Sequence, residues 1–467
     1  MQPVAVSAFR YKLGLVMLAV RSDPTYRPTL RVIDVVAIIV GTVVGAGIFR
    51  TPSLVAANAP SEAVVLGAWA VGGAISLVGA LCYAELAAAY PSPGGDYHYL
   101  ARAFGMRLAF LFAWARITVI QTGSIALLAF VIGDYATRVA PLGPASPTLY
   151  AALTVALVTG VHVIGVRQGR LIQNLLTGAE VAGLLLVIAV GFALDTPSSP
   201  ATAPAAAFSN QGFGLMMVFV LLTYGGWNEA AYASAEIRGP RGSIVRALVW
   251  GIVAITALYL LVNVAYLRGL GLAGMAESKT VAADLMARVA GTGSAWVMSA
   301  IIVIAAATSV NAAVFTGART AHALGRDFRP LAFLGRWHRR AGTPVNALVV
   351  QGALALALVF LGGFMREGFE TMVEFTAPVF WLFFLLTGVS LLVLRRREPE
   401  VARPFAVPLY PITPLVFCAT CAYLLYASLA HSGPGSIVGV AVVAAGALVL
   451  GLMGRAAVTR PDIQGGD

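Results

Sequence analysis

Residues 41–49 read Gly41-Thr42-Val43-Val44-Gly45-Ala46-Gly47-Ile48-Phe49, three glycines inside an apolar block that begins near residue 32. A second block, starting near residue 213, carries Thr223-Tyr224-Gly225-Gly226-Trp227-Asn228. At 1.5 Å per residue, Gly45 lies about 20 Å into the first block and Gly225 about 18 Å into the second, near the middle of a hydrocarbon core about 30 Å thick. Glycine lowers the cost of leaving helical geometry. Unwound backbone at that depth is tolerated only where it lines a cavity or is covered by protein. The plainer alternative is that such glycines let helices pack closely, as in small-xxx-small contacts such as Gly41 and Gly45.

The rest of the chain supplies the membrane setting. Of 467 residues, 59% are apolar and 11% charged, against about a quarter charged in soluble chains. A soluble fold is excluded. The apolar residues fall into about twelve blocks, predicted as spans at 32–58, 63–89, 107–136, 148–166, 171–194, 213–236, 243–267, 294–322, 344–363, 369–394, 408–431 and 435–455. The chain reads as an all-α polytopic membrane protein with 12 transmembrane helices, helices 1 and 6 unwound at the midplane. An offset of five helices between the two breaks reverses direction, which relates them by an inverted repeat.

The formal charge of +11 is carried mostly by arginines scattered over short loops, which fits membrane orientation and not nucleic-acid binding. Of the 31 Lys and Arg, 24 fall in the tails, in the loops after even-numbered spans or at the span ends beside them, and six fall likewise on the other side, with Arg116 left inside its span. Both termini are therefore expected in the cytoplasm, in a protein of the cytoplasmic (inner or plasma) membrane. The apolar run Leu13 to Val20 is too short to span and is read as part of a cytoplasmic tail. Cys82, Cys418 and Cys421 all sit inside apolar blocks, and Cys418-x-x-Cys421 reads as helix packing rather than a redox pair. The five histidines show no ligand spacing, so neither a metal nor a cofactor is expected. An intramembrane protease would need a nucleophile and base or paired aspartates at one depth, yet Asp34 lies only at a span entrance. A channel would show a selectivity ring or an oligomer-generating repeat. A carrier remains.

At the same residues the chain resembles the amino acid–polyamine–organocation (APC) superfamily, particularly its L-type amino-acid transporter (LAT) branch. The matching segments are Gly41 to Pro52, Tyr83-Ala-Glu-Leu86, Gly94-Gly-Asp-Tyr-His-Tyr-Leu100, Tyr224-Gly-Gly-Trp-Asn228, Glu236-Ile-Arg-Gly-Pro240, Asn311 to Arg319, and Arg403-Pro-Phe-Ala-Val-Pro-Leu-Tyr-Pro411. The resemblance implies a LeuT-type 5+5 inverted repeat plus two C-terminal helices. Residues 1–30 would be the N-terminal tail, 31–195 the first five-helix repeat, 208–395 the second, 405–456 helices 11 and 12, and 457–467 the C-terminal tail. It also implies secondary active transport of amino acids by alternating access, as an exchanger or a cation-coupled symporter, with no catalysis.

An α-amino acid would bring a carboxylate and an ammonium to breaks that hold no formal charge. Backbone N–H groups at Gly45, Ala46 and Gly47, beside Ile48, suit the carboxylate, and carbonyls of Thr42, Val43, Leu222 and Thr223 suit the ammonium. Tyr224, Gly225, Trp227 and Asn228 complete the expected substrate site. Leu222 stands where the branch often has an aromatic, and Ala46 where a serine is common, which points to small or medium neutral amino acids. The alternative is a cationic amino acid or polyamine, read by Glu229, whose other reading is packing polarity. The branch's disulfide to a heavy subunit uses a cysteine outside spans 3 and 4; none lies between Asp134 and Thr148, so no such subunit is expected.

Span 5 departs furthest from the family. Gln173-Asn-Leu-Leu-Thr-Gly-Ala-Glu180 ends in glutamate where relatives commonly have lysine. Glu180 either pairs with Arg116 at similar depth, or binds a mobile proton or sodium ion, or faces an open lumen. In the second reading Gly41, Val44, Ala305, Thr308 and Ser309 would supply the remaining oxygens, a set that suits a hard monovalent cation. Glu85 and Glu236, at cytoplasmic span ends, are expected to pair with loop arginines.

Overall fold

A computed structural model describes residues 32–92, 94–165, 170–194, 209–229, 243–338, 341–365, 367–430 and 433–452. The tails, Glu236 and the side chains of Asp34 and Thr42 lie outside the described residues. The described chain is helical, and its sole strand-like feature is a bridge between His338 and Thr343. Nine of its helices are long and apolar enough to cross a membrane. The first and sixth expected spans are not among these because they are interrupted, and the fifth contributes a shorter apolar stretch, Gly178–Phe192. The chain is an integral, polytopic helical membrane protein.

The first expected span divides into α1 (Val32–Val43), a 3-10 turn (Ala46–Phe49) and α2 (Thr51–Ala57), whose first turn holds Pro52, where a missing N–H costs nothing. α3 (Glu62–Ala89) starts at Ser61, whose side chain accepts from the Val64 N–H. After α4 (Gly95–Phe104), α5 (Met106–Val139) carries a π-helical turn at Arg116–Ile120. α6 (Ser146–Ile164) and α7 (Arg170–Phe192) precede the second interrupted span, where α8 (Asn210–Thr223) ends. α9 (Ser243–Glu277) and α10 (Val281–Asp327) run past the expected 243–267 and 294–322, each across a kink, at Gly271 and at Ala290–Gly291. Apolar periodicity marks only the membrane-crossing part of each. α11 (Val345–Phe364), α12 (Gly368–Arg397), α13 (Ile412–Ala430) and α14 (Pro434–Leu452) complete the described chain.

Small residues bring the helices around the breaks together: a Cβ on Gly73 of α3 would collide with the Thr256 side chain of α9. At the arginine-rich face, Glu85 is fully buried at the end of α3. It accepts from Arg395 Nε at 2.6 Å and the Val407 N–H at 2.7 Å, with Arg403 Nε at 3.5 Å. The expected pairing of Glu85 with loop arginines holds. Removing one partner of a buried ion pair strands the other charges, so Glu85→Ala should cost about 3–5 kcal/mol, read as a lower unfolding temperature of the detergent-solubilised protein.

Candidate functional site between the two helix breaks

In the first break, α1 stops at Val43, Gly45 is extended (φ −98°, ψ −179°), and the 3-10 turn follows. In the second, α8 stops at Thr223 and Gly226 takes φ 109°, a left-handed conformation that favours glycine. The glycines therefore mark true interruptions rather than close packing of continuous helices. The two breaks face each other. A Cβ built on Gly47 would meet the Thr223 side chain at 3.7 Å.

A residue that the sequence reading missed joins them. The hydroxyl of Tyr259, fully buried on α9, lies 2.7 Å from the Val43 carbonyl and 3.1 Å from the Thr223 carbonyl. One phenol proton is thus shared between the last carbonyls of the two helix halves. Its ring packs on Tyr224 and Trp69, with centroids 5.0 and 5.3 Å away. Nothing in the local sequence singles out a tyrosine in an apolar helix, because its role depends on where two distant carbonyls end.

The predicted backbone groups divide. The Gly45 N–H, expected as a carboxylate donor, is already given to the Val43 carbonyl at 2.7 Å, and the Leu222 carbonyl accepts from the Gly225 N–H at 3.0 Å. Ala46 and Gly47 head the 3-10 turn, and Ile48 is buried behind them. The buried Tyr224 donates its hydroxyl to the Trp69 carbonyl at 3.0 Å, and Thr223 donates to Phe219 at 2.8 Å. Asn228 is buried, while Leu222 is half-buried.

Beside Gly225 and Trp227 lies an apolar cavity with room for no more than about one water molecule, walled by Ile75, Ser76, Phe380, Trp381 and Phe417. Ser76 Oγ and Trp381 Nε1 are buried there without a hydrogen-bond partner among the described residues. Trp227 is fixed against Tyr83 and Phe384, with ring centroids 5.1 and 5.7 Å away.

The charged residues settle differently from one expectation. Arg116, in the π-helical turn, donates from Nη2 to Glu229 at 2.9 and 3.2 Å. Of the readings open for Glu180, the pair with Arg116 gives way to Arg116–Glu229, the residue after the second break. Depth alone could not choose between two glutamates. Glu180 is 2% exposed on α7, with Oε1 lacking a hydrogen-bond partner among the described residues. Gly183, one turn along, faces Ile301 of α10, the helix that carries Ala305, Thr308 and Ser309. Ala305 and Val44 are buried, Gly41 and Ser309 half-buried, and Thr308 donates to the Ile304 carbonyl of its own helix at 3.1 Å. All three cysteines are buried and free.

Helices long and apolar enough to cross a membrane, packed around two interrupted helices whose ends meet, suit a membrane carrier, and comparison with known proteins gives the class. The amino acid permease family model matches residues 30–452, and the chain belongs to that family, in the LAT branch of the APC superfamily. It is 29% identical over 408 residues to the b(0,+)-type amino acid transporter 1 of Homo sapiens, covering 86% of this chain and 82% of that one. It is 30% identical over 405 residues to the Large neutral amino acids transporter small subunit 2 of Homo sapiens, covering 84% and 74%. The protein is a permease and not an enzyme.

Proposed function

We propose that this protein carries small to medium neutral α-amino acids across the membrane by alternating access, as an exchanger or a cation-coupled symporter. In this reading the chain has twelve spans, ten of them in a five-plus-five inverted repeat, with both termini on the arginine-rich, cytoplasmic side. The observation that carries it is the juxtaposition of two uncharged helix breaks, bridged by Tyr259 between the Val43 and Thr223 carbonyls. Ala46 and Gly47 N–H groups would receive the substrate carboxylate, and carbonyls of Val43 and Thr223 its ammonium. Displacement of the Tyr259 hydroxyl from one carbonyl would free that acceptor.

The side chain would point toward the cavity beside Gly225. Its small size, and Leu222 in place of an aromatic, support a short side chain; the unpartnered Ser76 and Trp381 groups suit a hydroxyl. Pairing of Glu229 with Arg116 supports neutral substrates over a cationic amino acid or polyamine. The buried cysteines support a carrier without a disulfide-linked partner.

A panel of radiolabelled amino acids in proteoliposomes tests the reading, and substrate-accelerated counterflow separates a carrier from a channel. Alanine, serine and threonine should compete on the order of tenfold better than tryptophan, the discrimination that a size-limited pocket reaches. Tryptophan ranking above alanine would reject the size argument. Preferred uptake of arginine or putrescine would restore the cationic alternative.

A further inference from the structure

The end of α10 and the loop after it carry charge that the fold leaves unpaired. Residues 311–343 hold six arginines and one acidic residue, Asp327, which accepts from the Tyr97 hydroxyl at 3.2 Å. The exposed Arg319, Arg326, Arg329 and Arg336 make no ion pair among the described residues. Arginines in other parts of the fold are neutralised, Arg102 by Glu398 and Arg395 by Glu85.

These charges lie beside exposed rings. Phe315, Arg319, His322 and Arg326 follow one another at helical spacings of four, three and four residues, so they share one face of α10. The stripe is about 16 Å long, beginning inside the expected span 294–322 and ending beyond it. The Arg319 guanidinium lies 3.7 Å from the centroid of the Phe315 ring, and His322 meets Trp337 edge-on with centroids 5.3 Å apart. Phe315 is 41% exposed and Trp337 47%. The loop that carries Trp337 is built onto the helix. A Cβ on Gly335 would lie 2.8 Å from the Gly325 carbonyl carbon, Leu334 is buried, and the His338 N–H donates to the Thr343 carbonyl at 3.0 Å. Rings and guanidiniums are therefore held in one surface by backbone packing.

A partner for this face has to be anionic at one end and apolar at the other. A soluble anion would leave Phe315 and Trp337 uncovered, and the phosphate of a zwitterionic lipid already has its own ammonium as counter-charge. An anionic phospholipid supplies both features in the order the stripe presents them, since Phe315 lies toward the span and Arg326 away from it. We propose that this face binds the headgroup of an anionic phospholipid. Arg319, Arg326 and Arg336 donate to its phosphate oxygens, where the planar guanidinium fork can engage two oxygens at once. Phe315 and Trp337 pack against the glycerol and the upper acyl chain, the level at which tryptophan is favoured in a bilayer. The inference involves no transported substrate and stands apart from the transport reading.

Trp337 serves as its own reporter. The full chain is reconstituted in phosphatidylcholine nanodiscs containing a minor fraction of either phosphatidylglycerol or phosphatidylcholine brominated near the headgroup end of its chains. The fluorescence quenching that belongs to Trp337 is the difference between the parent and Trp337→Phe. Brominated phosphatidylglycerol should quench it on the order of threefold more than brominated phosphatidylcholine at equal fraction, and the preference should shrink in high salt. Arg326→Gln combined with Arg336→Gln should bring the two lipids to equal quenching, whereas Arg288→Gln, exposed near the other end of α10, should keep the preference. Added glycerol phosphate should leave the signal unchanged, because a free phosphate lacks the chain that covers the rings. Equal quenching by the two lipids in the parent would overturn the proposal and leave the face to a soluble acidic partner. A preference that survives loss of Arg326 and Arg336, or one abolished by glycerol phosphate, would overturn it as well. The comparison of lipids in the parent decides the matter even where a variant fails to fold.

Discussion

Gly47→Val is expected to abolish amino-acid uptake while leaving the protein folded. The argument is steric on one side and energetic on the other. A Cβ at this position would meet only the Thr223 side chain, at 3.7 and 3.9 Å, which is ordinary van der Waals contact, so the chain can accommodate it. The added methyls would enter the space between the two breaks, where the carboxylate is proposed to sit. Losing two charge-assisted hydrogen bonds at about 1.5–3 kcal/mol each lowers affinity by a hundredfold or more. Uptake should therefore fall to background in proteoliposomes, with an unchanged gel-filtration profile and melting curve. Gly225→Ala provides a contrast, because its Cβ would press on the Leu222 carbonyl at 2.8 Å and disturb the break itself. Normal transport by Gly47→Val would place the carboxylate elsewhere.

The positions of both breaks were legible because glycine clusters interrupt otherwise continuous apolar blocks at one depth, a signal that needs no tertiary contact. The membrane setting was legible for the same reason, since hydrocarbon leaves the backbone few options. The long ends of α9 and α10 were not, because Gly271 and Gly291 join membrane-crossing helix to further helix whose composition resembles a loop. At the site, sequence pointed to the backbone but not to which groups remain available. Gly45 illustrates this: its N–H was expected to be available to the carboxylate, yet the local turn returns it to Val43. Tyr259 and the Arg116–Glu229 pair are long-range, joining residues 216 and 113 positions apart. Only the fold decides such partnerships. The π turn that begins at Arg116 adds a residue to a helical turn, a change that apolar periodicity does not register.

Glu180→Gln should remove gradient-driven accumulation while leaving exchange measurable. The side chain is buried on α7, its Oε1 has no hydrogen-bond partner among the described residues, and Arg116, one of the partners considered for it, is engaged by Glu229. An ionised carboxylate at that depth costs several kcal/mol unless a proton or cation accompanies it. The Gly41 and Val44 carbonyls with Thr308 and Ser309 would add oxygens if sodium is the ion, and the carboxylate alone suffices for a proton. A potential of 100 mV acting on one co-transported charge supplies about 2.3 kcal/mol, a concentration ratio of about fifty. Glutamine keeps the shape and hydrogen-bonding capacity but cannot carry that charge, so the variant should equilibrate substrate without concentrating it. Imposing proton and sodium gradients separately identifies the ion in the parent protein. If Glu180→Gln still concentrates substrate like the parent, the coupling ion does not use this carboxylate.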